Sequence, residues 1–164
     1  ALAYERLIMG EGATERRGKQ KSSVPPLLEL AKRHGKIDDP VIRQKIAQAI
    51  AYRQLNSLNM KRAKDEIVSN GSSSLMSLGK LAMSRIQHGE ARVAAEILGP
   101  ASLFDGPDFK DSADMNFDSA KAYMNSIGGG SDQIQRNIIS ERILGLPREI
   151  EVDRNMPFRD VKSG

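Results

Sequence analysis

The residues best suited to chemistry lie in Gly128-Gly129-Gly130-Ser131-Asp132-Gln133, a glycine-rich turn directly before an apolar-periodic segment. Such a turn can carry backbone N–H groups close to an anionic or carbonyl-bearing ligand, because no Cβ atoms stand in the way. The same composition suits a flexible connector, and the residues alone leave both readings open. Other chemistries are narrowed by what the chain lacks. It has no cysteine, which removes disulfides, thiolate nucleophiles and Cys-based zinc sites. His34 and His88 are isolated from one another, so no His-rich metal site is expected. The basic run Arg16, Arg17, Lys19 and Lys21 could meet phosphates, but no interleaved aromatics offer base stacking, and a solvated loop is the simpler reading.

The elements that must position the turn read as helices. Ala1 to Gly10 is helical in pattern, with Leu2, Tyr4, Leu7 and Ile8 as its apolar positions. Ala1 is a poor N-cap, so the helix is entered mid-turn and the natural chain is expected to extend upstream. Residues 10–24 read as a helix end and a loop. Pro25 and Pro26 can open a short helix that Gly35 stops, and Asp39-Pro40 supplies a cap and first-turn proline for a long one. Its apolar positions Ile42, Ile46, Ala49, Ile50, Leu58 and Ile67 recur near the helical period.

Asn70-Gly71 and Ser72 to Ser74 form a turn into a further helix that runs to about Leu98, where Gly99-Pro100 ends it. Gly79 and Gly89 weaken its continuity by about 1 kcal/mol each relative to alanine. A loop over 101–113 leads to a helix near 114–126. After the glycines, Asp132 is the expected N-cap of the last helix, with Gln135 completing a capping box. Ile134, Ile138, Ile139 and Ile143 form its apolar side before Gly145 and Pro147 close it.

The pattern predicts an all-α, up-and-down bundle of about four main helices over residues 1–149, with a polar tail over 150–164. Its 164 residues suffice for one domain with a core. Aromatics make up only 4%, which favours helix packing by aliphatic side chains over an aromatic-rich sheet. A net charge of +4 is too small to point to nucleic acid. No apolar run approaches the roughly 20 residues of a bilayer span. Charge and glycine interrupt the N-terminus by Glu5 and Gly10, unlike a signal peptide, so a cytoplasmic protein is expected.

The stretch from Gly130 through Gln135 to Ile139, followed by Glu141-Arg142-Ile143-Leu144-Gly145-Leu146-Pro147-Arg148-Glu149, resembles the final motif of acyl-CoA dehydrogenases. The resemblance implies that this chain is the C-terminal helical domain of such an enzyme, its first helix truncated and most of the cofactor pocket lying upstream. It implies FAD, an acyl-CoA substrate, an electron-transfer flavoprotein as redox partner, and a homo- or hetero-oligomer. Carried over by position, Gly129, Gly130, Ser131 and Gln133 are the flavin or substrate contacts.

Many family members carry the catalytic glutamate where this chain has Gly129. Ala3-Tyr4-Glu5-Arg6-Leu7, however, resembles the L-x-x-E-R-L segment of isovaleryl-CoA and long-chain acyl-CoA dehydrogenases, which bear the base on that earlier helix. Glu5 is then the candidate base, where the resemblance aside it reads as a solvated helix residue beside Arg6. Two other motifs are only partly kept. Ala95 to Pro100 resembles the family's Q-x-x-G-G segment, with Glu96 for the glutamine, and only Gly99 is carried over as a cofactor contact, reaching the dinucleotide of a neighbouring subunit. At the family's R-x-x-F-G segment, Ala31 stands where the arginine is expected, leaving Lys32, Arg33 or Arg43 as substitute cations. A catalytically silent subunit of a mixed complex, and a cofactor-free helical interaction module, are the competing readings.

Overall fold

The computed structural model describes residues 26–148 together with 156, 157 and 160. The segment expected to form a first helix with Glu5, the basic run and most of the tail lie outside the described residues. Among the described residues the chain forms α1 (Pro26–Arg33), α2 (Pro40–Asn70), α3 (Leu75–Leu98), α4 (Lys110–Ile127) and α5 (Asp132–Ile138), with no strand. Short 3-10 turns at Gly99–Leu103 and Pro107–Phe109 join α3 to α4, and a π turn, Ile139–Ile143, prolongs α5.

Asp39 caps α2 as its sequence predicts: its Oδ1 accepts from the backbone N–H of Val41 at 2.9 Å and of Ile42 at 3.2 Å. The helix then runs unbroken for 31 residues, roughly 46 Å at 1.5 Å per residue. Gly71 ends it, donating its N–H to Ile67 O at 2.8 Å.

The side-chain pairs give the direction of packing. Lys45 meets Glu96, Arg53 meets Glu90, and Met60 lies against Gly79. Positions rise along α2 as their partners fall along α3, so the two helices are antiparallel neighbours, as a short connection dictates. In the same sense Ala101 meets Ser112, Gln87 meets Asn125, and Ser84 meets Ser126. Helix α3 is thus the central element, touching α1, α2, α4 and α5.

Leu30, Ala31, Ile42, Ile46, Val93, Ala94, Ile97 and Leu98 form the main core, where α1 and the start of α2 close over the end of α3. Neither suspect glycine breaks α3. At Gly79 a Cβ would overlap the Met60 thioether, so the missing side chain lets α2 lie close, and packing offsets the helix-propensity loss.

Helix α4 begins earlier than its sequence suggested, at Lys110 where a start near residue 114 was expected. Asp111, expected in the loop over 101–113, is instead a first-turn helix residue and a contact residue. Pro107 opens the preceding 3-10 turn, Lys110 pairs with Asp114 one helical turn on, and Asp111 reaches α1. Asp111 accepts from Arg33 Nε at 3.1 Å and Nη2 at 2.7 Å, and lies 3.0 Å from His34 Nε2. The Arg33 hydrogen bonds hold the Asp111 carboxyl below its ordinary range; partial burial opposes this and His34 adds to it.

A carboxyl with a lowered folded-state pKa contributes stability that is whole above about pH 4 and is lost as pH falls through the lowered value. Asp111→Asn should therefore cost ~1 kcal/mol or less at neutral pH, as suits a half-exposed pair, and nothing in strong acid. Thermal melts of both proteins across that range should converge as the pH drops; curves that stay parallel would show that the ion pair contributes no pH-dependent stability.

Candidate functional site

The glycine turn joins α4 to α5. Gly128 N–H still bonds Met124 O at 2.8 Å, completing the last turn of α4. Gly129 and Gly130 then take φ of 66° and 100°, which reverses the chain without side chains. A Cβ at Gly130 would stand 3.0 Å from Gln135 Nε2.

The helix that follows starts differently from its sequence reading. Ser131, not Asp132, is the N-cap, its Oγ accepting the Ile134 N–H at 3.3 Å. Gln135 does not reach back to close a capping box. Its side chain is fully buried, 0% exposed, and its Nε2 donates to Gly129 O at 3.3 Å, with Oε1 left unpartnered. It props the turn from inside. Ser131 and Asp132 are both good capping types, and long-range partners decided between them.

Those partners come from α3. Asp132 accepts from Lys80 Nζ at 3.0 Å through Oδ1 and from Ser84 Oγ at 2.7 Å through Oδ2. Lys80 Nζ also donates to Ser126 O at 3.3 Å. Ser126 Oγ lies 2.7 Å from Ser84 Oγ and 2.8 Å from His88 Nε2, and donates to Ala122 O at 3.0 Å. The His88 ring also packs edge-on against Tyr123, with centroids 4.7 Å apart. Lys80 and Ser84 are buried, and a charge so placed is tolerable only because it is paired and hydrogen-bonded. Sequence reasoning passed over this group. Its signal was present: Lys80, Ser84 and His88 repeat every fourth residue, which sets three polar side chains along one stripe of the helix.

A cleft of about 760 Å³ opens beside this stripe, bordered by Tyr52 of α2, Arg85, His88 and Arg92 of α3, Tyr123 of α4 and Arg136 of α5. Its floor includes Ser84 and Asp132, so the polar group lies between cleft and turn.

Of the site residues drawn from the sequence, Gly129, Gly130, Ser131 and Gln133 share this one turn; Gln133 is exposed and Ser131 half-buried. Gly99 stands apart. It ends α3, some 22 Å along the helix axis from Ser84, which touches the turn's far side. The neighbouring Glu96 carboxylate is not a bare negative charge, because Lys45 of α2 pairs with it. Ala31 is 0% exposed within the core, which leaves no room there for an arginine. Arg33 is engaged by Asp111, and Lys32 lies 3.9 Å from Glu29. Arg43 borders a shallow depression with Leu28, Ile37 and Ile50. Among the described residues no group of three or more His, Cys, Asp or Glu side chains could hold a metal, and no helix is long and apolar enough to cross a membrane.

The described residues form an antiparallel helical bundle in which a glycine turn is locked onto the central helix. Residues 26–144 match the acyl-CoA dehydrogenase C-terminal domain, and the chain belongs to that family. Acyl-CoA dehydrogenase IpdE1 of Mycolicibacterium smegmatis is 31% identical over 157 residues, covering 92% of this chain and 36% of that protein. Its namesake in Mycobacterium tuberculosis is 32% identical over 129 residues, covering 75% of this chain and 31% of the relative. The chain spans about a third of the length of the curated relatives it matches. No solved structure matches it significantly.

Proposed function

We propose that this chain supplies the C-terminal domain of an FAD-dependent enzyme that dehydrogenates an acyl-CoA thioester between its α and β carbons. The observation that carries the reading is the turn at Gly129-Gly130. Two positive-φ residues without side chains are followed by Ser131 and Gln133, inside a domain of the acyl-CoA dehydrogenase family.

The residues fit a planar, hydrogen-bonding cofactor. Gly129 is buried, whereas the backbone at the half-buried Gly130 can be approached closely because no Cβ intervenes. Ser131 Oγ accepts from Ile134 N–H through a lone pair, which leaves its own proton available to donate. Gln133 is exposed, and its side-chain amide both donates and accepts. When bound, FAD supplies the hydride acceptor for the β-hydrogen.

The protein's part is alignment and proton removal. Glu5 is the base in this reading. It takes the α-proton, and donors around the thioester oxygen stabilise the developing enolate. Gly129 bears no carboxylate, so in this reading the base comes from another part of the chain. Electrons then pass to an electron-transfer flavoprotein, and the enzyme works as a homo- or hetero-oligomer.

The full-length protein should purify yellow, and its flavin colour should bleach when an acyl-CoA is added without oxygen. A colourless protein that takes up no FAD would sink this reading in favour of a cofactor-free helical module. A second reading draws on the same Gly129: a chain without a carboxylate in this turn can be the silent member of a heteromeric dehydrogenase, shaping a partner's site.

A further inference from the structure

Among the described residues Lys80 is the buried lysine, its side chain 4% exposed, and what it grips is specific. Its ammonium donates to Ser126 O, in the last turn of α4, and to Asp132 Oδ1, in the first residue of α5. The three glycines run between these two anchors. Ser84, one helical turn along α3, repeats the pattern, with its Oγ 2.7 Å from Ser126 Oγ and 2.7 Å from Asp132 Oδ2. Both sides of the turn are therefore tied to a single face of one helix.

Glycines have the widest conformational freedom of any residue, so a turn built from them does not hold its own shape. The clamp restricts it. Stability alone does not explain the choice of groups, because a buried ion pair is commonly matched or bettered by apolar side chains of similar volume. What the pair adds is direction: an ammonium with three donors and a carboxylate with two oxygens fix angles that methyl groups leave loose.

We propose that Lys80, assisted by Ser84, is a positioning residue that sets the shape of the 128–130 turn. Resting on the function proposed above, it thereby sets how Gly130, Ser131 and Gln133 meet the flavin.

The test uses the full-length holoprotein, with melting temperature, FAD affinity and the visible spectrum of the bound flavin as readouts. Lys80→Met should lower the melting temperature, weaken FAD about tenfold and displace the spectrum, as expected when a supporting hydrogen-bond partner is lost. Lys80→Arg should recover part of the affinity. The double variant Lys80→Met/Asp132→Leu replaces the pair with apolar side chains. Its melting temperature should return to that of the wild type while affinity and spectrum stay displaced.

A double variant normal in all three readouts, from a wild type that holds flavin, would overturn the positioning role alone. Ser84→Ala removes one hydroxyl and keeps the experiment decisive if Lys80→Met does not fold. It should weaken FAD about threefold, as the loss of one hydrogen bond predicts, and unchanged affinity with an unchanged spectrum counts against the clamp. A wild type that binds no flavin would instead remove the function on which the proposal stands.

Discussion

Glu5→Gln in the full-length protein is expected to lower acyl-CoA oxidation by about a thousandfold while leaving the flavin in place. The magnitude follows from the reaction. General-base catalysis by a positioned side chain contributes roughly 10²–10⁴-fold, and a glutamine amide has nearly the carboxylate's shape without its basicity. The loss should fall on turnover more than on apparent substrate binding, because proton removal is needed only on the way to the transition state. Flavin content and melting temperature serve as controls. Turnover equal to wild type would mean that the base lies elsewhere, whereas a wild-type chain that by itself oxidises no acyl-CoA would favour the silent-subunit reading.

The second large effect is expected at Gly130. Gly130→Ala asks a side chain to adopt a φ of 100°, a region that L-residues rarely occupy, and sets its methyl 3.0 Å from Gln135 Nε2. The backbone term alone is about 1–3 kcal/mol. The contact cannot be relieved cheaply, because Gln135 is fully buried and its amide is the prop beneath Gly129 O. A loss of about 2 kcal/mol should lower the melting temperature by several degrees. If the turn presents the flavin contacts, FAD affinity should fall with it. An Ala variant that melts and binds FAD like the wild type would show that the turn is free to relax, contrary to the support seen around it.

Most of the helical layout was legible in the chain. Asp39-Pro40, Asn70-Gly71 and Gly99-Pro100 are strong local signals because capping and turn chemistry act within a few residues, and the helices start and stop beside them. The start of α4 was not legible. Asp111 looks like any loop carboxylate until Arg33 and His34, far away in sequence, are brought to it. The helix after the glycines shows the same limit more sharply. Ser131 and Asp132 are equally good caps by type, and Gln135 three residues beyond Asp132 suggested a capping box. Lys80 and Ser84 claim the Asp132 carboxylate instead, the cap falls to Ser131, and Gln135 turns inward.

The glycine turn itself was readable through its long flanking motif, since the glycines alone suit a connector as well. Its support was not. A lysine in a helix is usually a solvated side chain, and periodicity every fourth residue with Ser84 and His88 is a faint signal beside the apolar pattern around it.

What the sequence determined by itself was therefore local: where most of the helices begin and end, which bend lacks side chains, and which family the flanking residues belong to. What the tertiary structure alone decided was the environment of the charges. Lys80 is buried, Asp132 is a clamp residue, and Ala31 closes a core where the family's arginine was sought, because each depends on which distant surface packs against it. Burial is a property of neighbours in space, and in a bundle those neighbours lie tens of residues away along the chain.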